Sequence, residues 1–257
     1  MCYNISYLTK KKLDYARRFG NQDDIAEMEK NLDELFNRTG PAYYVSGFDH
    51  PDVPVITNLE PDKIQLFSWG LIPFWVKDPA QAVDISRKTL NARGEEMFEK
   101  PSYKNSALAK RCLVVVDGFF EFHWKGDKSF PYYVHLKNGE PLALAGLWES
   151  WHYKEDKLVR NTFTIVTTRA NRLMEDIHNN PKTSEGPRMP VIVPKSMEKR
   201  WLTVDAGADS GREIIRNILE PLEESHLNAY TVGKLKGKSA LGNSPKALEK
   251  VNYPELI

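Results

Sequence analysis

Cysteine is scarce in this chain of 257 residues: there are two, Cys2 and Cys112. They stand far apart, form no CxxC pair and offer no zinc-ligand spacing, so neither a disulfide framework nor a structural metal is expected to organise the fold. Long apolar runs are also missing. None approaches the ~18–20 residues of a membrane span, and the opening MCYNISYLTKKK has no apolar stretch suited to a signal peptide. A cytoplasmic protein without a membrane partner is the expectation. GxGxxG and P-loop patterns are absent, so no nucleotide cofactor is indicated. Charge of either sign is not in excess: 36 Lys and Arg face 35 Asp and Glu, a net charge of +1. That balance argues against a strongly cationic nucleic-acid coat and leaves room for a local basic groove. Repeats, low-complexity linkers and clear domain boundaries are lacking as well, and one domain over residues 1–257 is expected.

What is present reads as an ordinary globular protein, 41% hydrophobic and 28% charged. A strand is predicted at Tyr3–Leu8, with Thr9 placed to cap a following helix. Ile25, Met28, Leu32, Leu35 and Phe36 recur at helical spacing, and Gly40-Pro41 ends that pattern. Short aromatic or β-branched runs then predict strands at Ala42–Ser46, Val53–Thr57, Ile64–Leu71, Leu113–Asp117, Phe119–Trp124, Tyr132–Leu136, Leu142–Leu147 and Thr162–Thr167. Helical patterns return at Arg169–Ile177, Ser196–Thr203 and Gly211–Leu222. Strands in runs with helices grouped elsewhere give an α+β class.

Cys2 is the most informative residue. Removal of Met1 makes it the N-terminus, with an α-amine and a thiol on adjacent carbons. Both groups titrate within about two units of neutrality in free peptides. Such a 1,2-aminothiol attacks an aldehyde with nitrogen and closes on the same carbon with sulfur, giving a thiazolidine. Glu121 lies in a run of aromatics, GFFEFHW, where strand alternation puts it on one face with Phe119 and His123. It stands either at a wet strand edge or in a pocket that suits proton transfer. His178 follows a helical pattern and is a candidate acid–base group or a helix-end residue. Asn91 and Arg93 join an amide to a guanidinium able to hold phosphate. Trp69 and Trp75 flank a Gly–Pro segment that reads as core packing or as a platform for bases.

In order along the chain, Met-Cys, WGLIP, LNAR, DGFFEFHW, IH, RMPVIV and GNSPKALEKVNYPELI resemble the SRAP (SOS-response-associated peptidase) family over nearly the whole length. The resemblance implies a largely antiparallel, barrel-like β core with peripheral helices. It implies shielding of abasic sites in single-stranded DNA by a covalent thiazolidine crosslink, after autocatalytic removal of Met1. Cys2 would be the nucleophile, Asn91 the group that orients nucleophile or sugar, Glu121 a proton shuttle that also assists loss of Met1, and His178 an aid to sugar-ring opening. Arg93 would contact phosphate and the Trp69–Trp75 segment would pack beside unpaired DNA, with Arg111 and the Lys234–Lys238 stretch adding a basic groove.

Two departures from the family pattern stand out. Asn4 occupies the usual Arg position, and nine residues, Asn179 to Pro187, separate His178 from Arg188 where the family usually has one. The partner is expected to be single-stranded or junction DNA containing abasic sites, the protein nucleoid-associated when bound and otherwise a monomer, with no cofactor. The competing readings are a cysteine peptidase acting in trans and a non-catalytic single-strand binding module.

Overall fold

Apolar alternation and β-branched runs build twelve strands among the described residues, and seven helices surround them. The computed structural model describes residues 2–20, 25–153, 155–181 and 186–256. Met1, and with it the expected loss of Met1, lies outside them, as do residues 182–185 of the segment after His178. The elements run β1 (Asn4–Tyr7), α1 (Lys12–Phe19), α2 (Ile25–Thr39), β2 (Ala42–Ser46), β3 (Asp52–Thr57), β4 (Ile64–Trp69), α3 (Pro79–Lys88), β5 (Asn91–Arg93), α4 (Lys104–Ala109) and β6 (Arg111–Val116). They continue β7 (Gly118–Lys125), β8 (Lys128–Leu136), β9 (Leu142–Tyr153), β10 (Leu158–Arg169), α5 (Arg172–Ile177), β11 (Arg188–Pro190), α6 (Lys195–Thr203), α7 (Asp209–Ile218) and β12 (Leu227–Thr231). The class is α+β, as expected.

Strands β10, β4, β3, β6 and β9 pair in that order, and β9 pairs again with β10, which closes a five-stranded barrel. Closure removes the open edges that a flat sheet of this length would expose. One seam is parallel, with Thr162 of β10 opposite Ser68 of β4; the others are antiparallel. Every residue of β6 is buried, which explains its uninterrupted apolar run Cys112–Val116. β10 outruns the barrel, and its far end carries β5 in parallel and β11 antiparallel. A second sheet, β12-β8-β7-β1-β2, is antiparallel throughout and shares one apolar core with the barrel, where Ile5, Phe119 and Val134 join Val55, Val114 and Phe163.

β1 is an interior strand, bonded to β2 on one side and β7 on the other. Its exit is clamped by Asp117, a fully buried carboxylate at the β6–β7 junction. Asp117 accepts from the Thr9 amide at 2.8 Å, from the Thr9 hydroxyl at 2.6 Å and from the Tyr15 hydroxyl. Thr9 therefore does not cap α1; the helix starts after Lys11, with no side-chain cap. The stronger acceptor won, because a buried carboxylate left without donors is costly. Ser6 adds a hydroxyl contact of 3.0 Å to Tyr133, whose ring lies over Gly118, a position where any Cβ would clash at 2.5 Å.

Two helices have no counterpart among those expected from sequence. α3 is capped by Asp78, whose carboxylate accepts from Gln81 N, but it buries only Ala82 and Ser86 and so has no apolar stripe to detect. α4 is a helix of six residues. Replacing the clamp, Asp117→Ala, is expected to cost roughly 2–4 kcal/mol by orphaning three donors, read as a lower urea midpoint at unchanged slope.

Candidate functional site

The antiparallel register sets Asn4 opposite Phe120 and Ile5 opposite Phe119, so the chain before Asn4 runs on toward Glu121. Cys2 is buried there, at 1% exposure. The Glu121 carboxylate accepts from the Phe122 amide at 3.1 Å through Oε1, while Oε2 stands 3.8 Å from Nδ1 of His178. Both side chains are nearly buried and line a cavity of about 420 Å³ with Tyr3, Asn4, Trp124 and Arg188. Of the two environments that its sequence allows, a wet edge or a pocket, Glu121 has the pocket.

His178 follows the last residue of α5 and donates its amide to Met174 O at 2.7 Å. Its Nδ1 lies 2.8 Å from the Arg188 carbonyl oxygen and 3.1 Å from the Arg188 amide nitrogen, and it serves one of them at a time. With the Arg188 carbonyl and the Glu121 carboxylate both acceptors beside it, the proton belongs on Nδ1. Nε2 is then the nitrogen that keeps a lone pair. The nine-residue segment after His178 thus returns to its starting point, and the imidazole is held by the residue that follows it. The first of the nine is anchored too: Asn179 accepts from Trp124 N at 2.7 Å and donates to Trp124 O at 3.0 Å, in the manner of a paired strand.

Asn91 and Arg93 lie on β5, opposite Ile165 and Thr167 of β10. Among the described residues, both polar atoms of the Asn91 amide are buried without a hydrogen-bond partner, an arrangement that costs ~1–3 kcal/mol in a site with no further use for it. Arg93 pairs with Glu96 at 3.2 Å. Arg188 has no role that its sequence context announces, yet its guanidinium lies at the cavity, bonded to Glu95 at 2.8 Å and to Thr167 O at 2.9 Å. Thr167 thereby links the β5 pair to the cavity. Tyr3 and Lys236 also line it, the first with no signal in the sequence and the second as part of a basic stretch. The ammonium of Lys236 sits 4.6 Å above the Phe122 ring at the cavity wall. Asn4 is buried and accepts from the Tyr44 hydroxyl at 3.0 Å.

Burial, and next the charge of Glu121, push the Cys2 thiol up from 9.0 to about 12. Burial raises Cys112 as well. Among the described residues no three His, Cys, Asp or Glu side chains converge as a metal site, and no helix is long and apolar enough to cross a membrane.

Two residues expected at a DNA face are elsewhere. Trp69 is fully buried, its indole N–H bonded to Leu90 O at 2.7 Å and its ring stacked on Phe163. Arg111 is buried beneath two helix ends, donating to Ala107 O at 2.9 Å, Leu108 O at 3.1 Å and Trp201 O at 2.6 Å, and to Val204 O. Those carbonyls end α4 and α6 and lack partners within their helices, which accounts for a buried cation and removes it from any phosphate groove. Trp75 is at the surface, 38% exposed. Lys234 lies over Phe130 and Tyr253.

Residues 1–239 match the family model described as SOS response associated peptidase (SRAP). The abasic site processing protein YoqW of Bacillus subtilis (strain 168) is 34% identical over 242 residues, covering 93% of this chain and 96% of that protein. The abasic site processing protein YobE of the same organism is 32% identical over 234 residues, covering 90% and 96%. A crystal structure of a Bacteroides thetaiotaomicron protein superimposes with a TM-score of 0.81 at 31% identity, over 98% of this chain and 100% of that one.

Two outcomes follow from this geometry. In the folded chain carrying Met1, iodoacetamide at pH 8 is expected to spare both cysteines and to label both in guanidinium, by intact mass. The sign follows from the raised thiol: Cys2 favours the fold below its ordinary 9.0, and that contribution is lost as pH climbs toward about 12. Arg111→Gln is expected to lower stability by about 2–4 kcal/mol through the orphaned helix ends, while leaving the salt dependence of DNA binding unchanged.

Proposed function

The chain belongs to the SOS response associated peptidase family, and from that membership we propose that it processes abasic sites, capturing them in single-stranded DNA as a covalent adduct on Cys2. The observation that carries the reading is a carboxylate and an imidazole 3.8 Å apart on one cavity wide enough for a sugar, with a buried Cys2 within reach of that carboxylate's charge; the buried amide of Asn91, without a hydrogen-bond partner among the described residues, adds a donor and an acceptor on β5.

In this reading loss of Met1 frees the Cys2 amine. The abasic deoxyribose opens when the hydroxyl proton at C1′ is removed and the ring oxygen is protonated. Nε2 of His178 takes the first proton, and Glu121, cycling through its acid form, moves the second. The amine adds to the aldehyde carbon, and the resulting carbinolamine loses water, with Glu121 returning a proton to the departing hydroxyl. The Cys2 sulfur then adds to the imine carbon, and its proton passes to the nitrogen. One water leaves overall, no electron acceptor is needed, and the product is a thiazolidine. A thiol held protonated suits the order of these steps, because nitrogen must attack first. Asn91 supplies a donor and an acceptor to the amine or to a sugar hydroxyl, and Arg93 and Arg188 face the flanking phosphates. Glu121 next to the chain start also fits a part in the removal of Met1.

The test is a denaturing gel with intact-mass analysis of protein mixed with a single strand carrying one abasic site. The expected product has the mass of strand plus chain lacking Met1, less one water. Cys2→Ala gives none, Cys2→Ser gives at most a labile imine, and Glu121→Gln slows formation roughly 10²-fold or more. A wild-type protein without Met1 that leaves the strand free overturns the reading.

A further inference from the structure

Both arginines that the proposed function turns toward phosphate already hold a carboxylate. Glu95 and Glu96 follow β5 with only Gly94 between. Arg188 donates to Glu95 at 2.8 Å, and Arg93 donates to Glu96 at 3.2 Å. A carboxylate offers a guanidinium anionic oxygens much as a phosphate does. A strand that brings its own phosphates must therefore take the place of these two groups.

Arg188 is built for such a replacement. Its backbone holds His178, and its guanidinium has two bonds to Thr167, from Nε to the hydroxyl at 3.3 Å and from Nη2 to the carbonyl oxygen at 2.9 Å. The same carbonyl oxygen takes the Gly94 amide at 2.9 Å. The Arg188 side chain is nearly buried among these contacts, whereas that of Glu95 is 52% exposed. Departure of Glu95 leaves the bonds to Thr167 and to the imidazole in place.

Each carboxylate also has a second cation in its surroundings. Glu96 already shares Lys100, at 3.4 Å. Glu95 lines a further cavity, of about 430 Å³, beside α7. Gly94 makes the approach to that helix possible, since a Cβ there would meet the Leu219 side chain at 2.8 Å. Three arginines line this cavity. Arg169 pairs with Glu220, and Arg212 donates to Ala206 O at 3.1 Å with its guanidinium over the Phe98 ring. Arg216, in the last turn of α7, is exposed and forms no ion pair or hydrogen bond among the described residues. It is the uncommitted cation of the cavity that Glu95 borders.

We propose that Glu95 is a specificity-determining residue, which occupies Arg188 in place of a phosphate and passes to Arg216 when a strand enters, while Glu96 guards Arg93 in the same way and falls back on Lys100. The inference rests on the proposed function for its choice of ligand. The two carboxylates weaken the attraction of the site for any strand through its phosphates alone. Retention then depends more on what the first cavity holds, the abasic sugar.

Equilibrium binding of two fluorescent single strands to the full chain tests it, one intact and one carrying a tetrahydrofuran in place of the abasic sugar, which prevents covalent capture. Glu95→Gln is expected to bind both strands roughly three- to fivefold more tightly, the scale of a partly exposed ion pair. It should also steepen the slope of log K against log salt by up to ~0.7, as one more phosphate is neutralised. A gain in affinity is a result that damage to the fold does not produce. Arg216→Gln should weaken binding by roughly threefold in the wild-type background and have no effect in the Glu95→Gln background, because the carboxylate it receives is then gone. Unchanged or weaker binding by Glu95→Gln overturns the exchange. So does an equal loss from Arg216→Gln in both backgrounds, which would make Arg216 a direct phosphate contact. Adduct formation on a true abasic strand is followed separately on the same proteins. An adduct without the gain from Glu95→Gln rejects the exchange alone, and the gain without an adduct rejects the capture chemistry alone.

Discussion

Hydrogen bonding of β1 along both edges is the constraint on which the rest of the molecule depends. Chain ends ordinarily fray, because they lack neighbours on one side. Here the first strand is inserted between β2 and β7, and Asp117 fastens its exit through Thr9 and Tyr15. The position of Cys2 is therefore as well defined as that of an interior residue. Glu121 lies on the same β7 that pairs with β1, so the thiol and the carboxylate are set by one register. A slip by a single residue would move Glu121 to the opposite face.

The barrel supplies the other half of the site. β10 extends past the closed barrel, and its free length takes β5 on one side and β11 on the other. Asn91 and Arg93 arrive with β5, and Arg188 arrives with β11 and holds His178. Two sheets with different connectivity thus meet at the cavity, each rigid for its own reasons. The geometry suits a reaction in which several protons move in sequence, since the groups need not be reorganised between steps.

Much of this was legible in the residues. The eight strands placed by alternation all exist, with ends extended by the long β9–β10 hairpin. The alternation in GFFEFHW put Glu121 on the Phe119 face, and Phe119 is in the core. What failed has a common physical cause. Composition tells that Trp69 and Arg111 are large, and does not tell which way they point. An indole N–H that meets Leu90 O and a guanidinium that meets two helix ends are satisfied indoors. The short strands β5 and β11 exist because β10 offers them an edge, so three-residue segments with no periodicity of their own could not be read in advance. Arg188 gained its place in the site by the same route.

The segment from Asn179 to Pro187 begins beside Trp124 and ends beside its own starting imidazole. Each described end is fastened by its own contacts, Asn179 to the Trp124 backbone and Arg188, just beyond it, to His178. The length between them is then nearly free to vary, since each doubling of such a loop costs only about 0.6 kcal/mol in closure entropy. In evolutionary terms this is a place where the chain can lengthen, acquire new surface or lose it again while His178 stays where it is. In engineering terms its described ends belong to the site itself: Asn180 and Gly186 line the cavity, so an exchange at either position reshapes the wall that a ligand would meet.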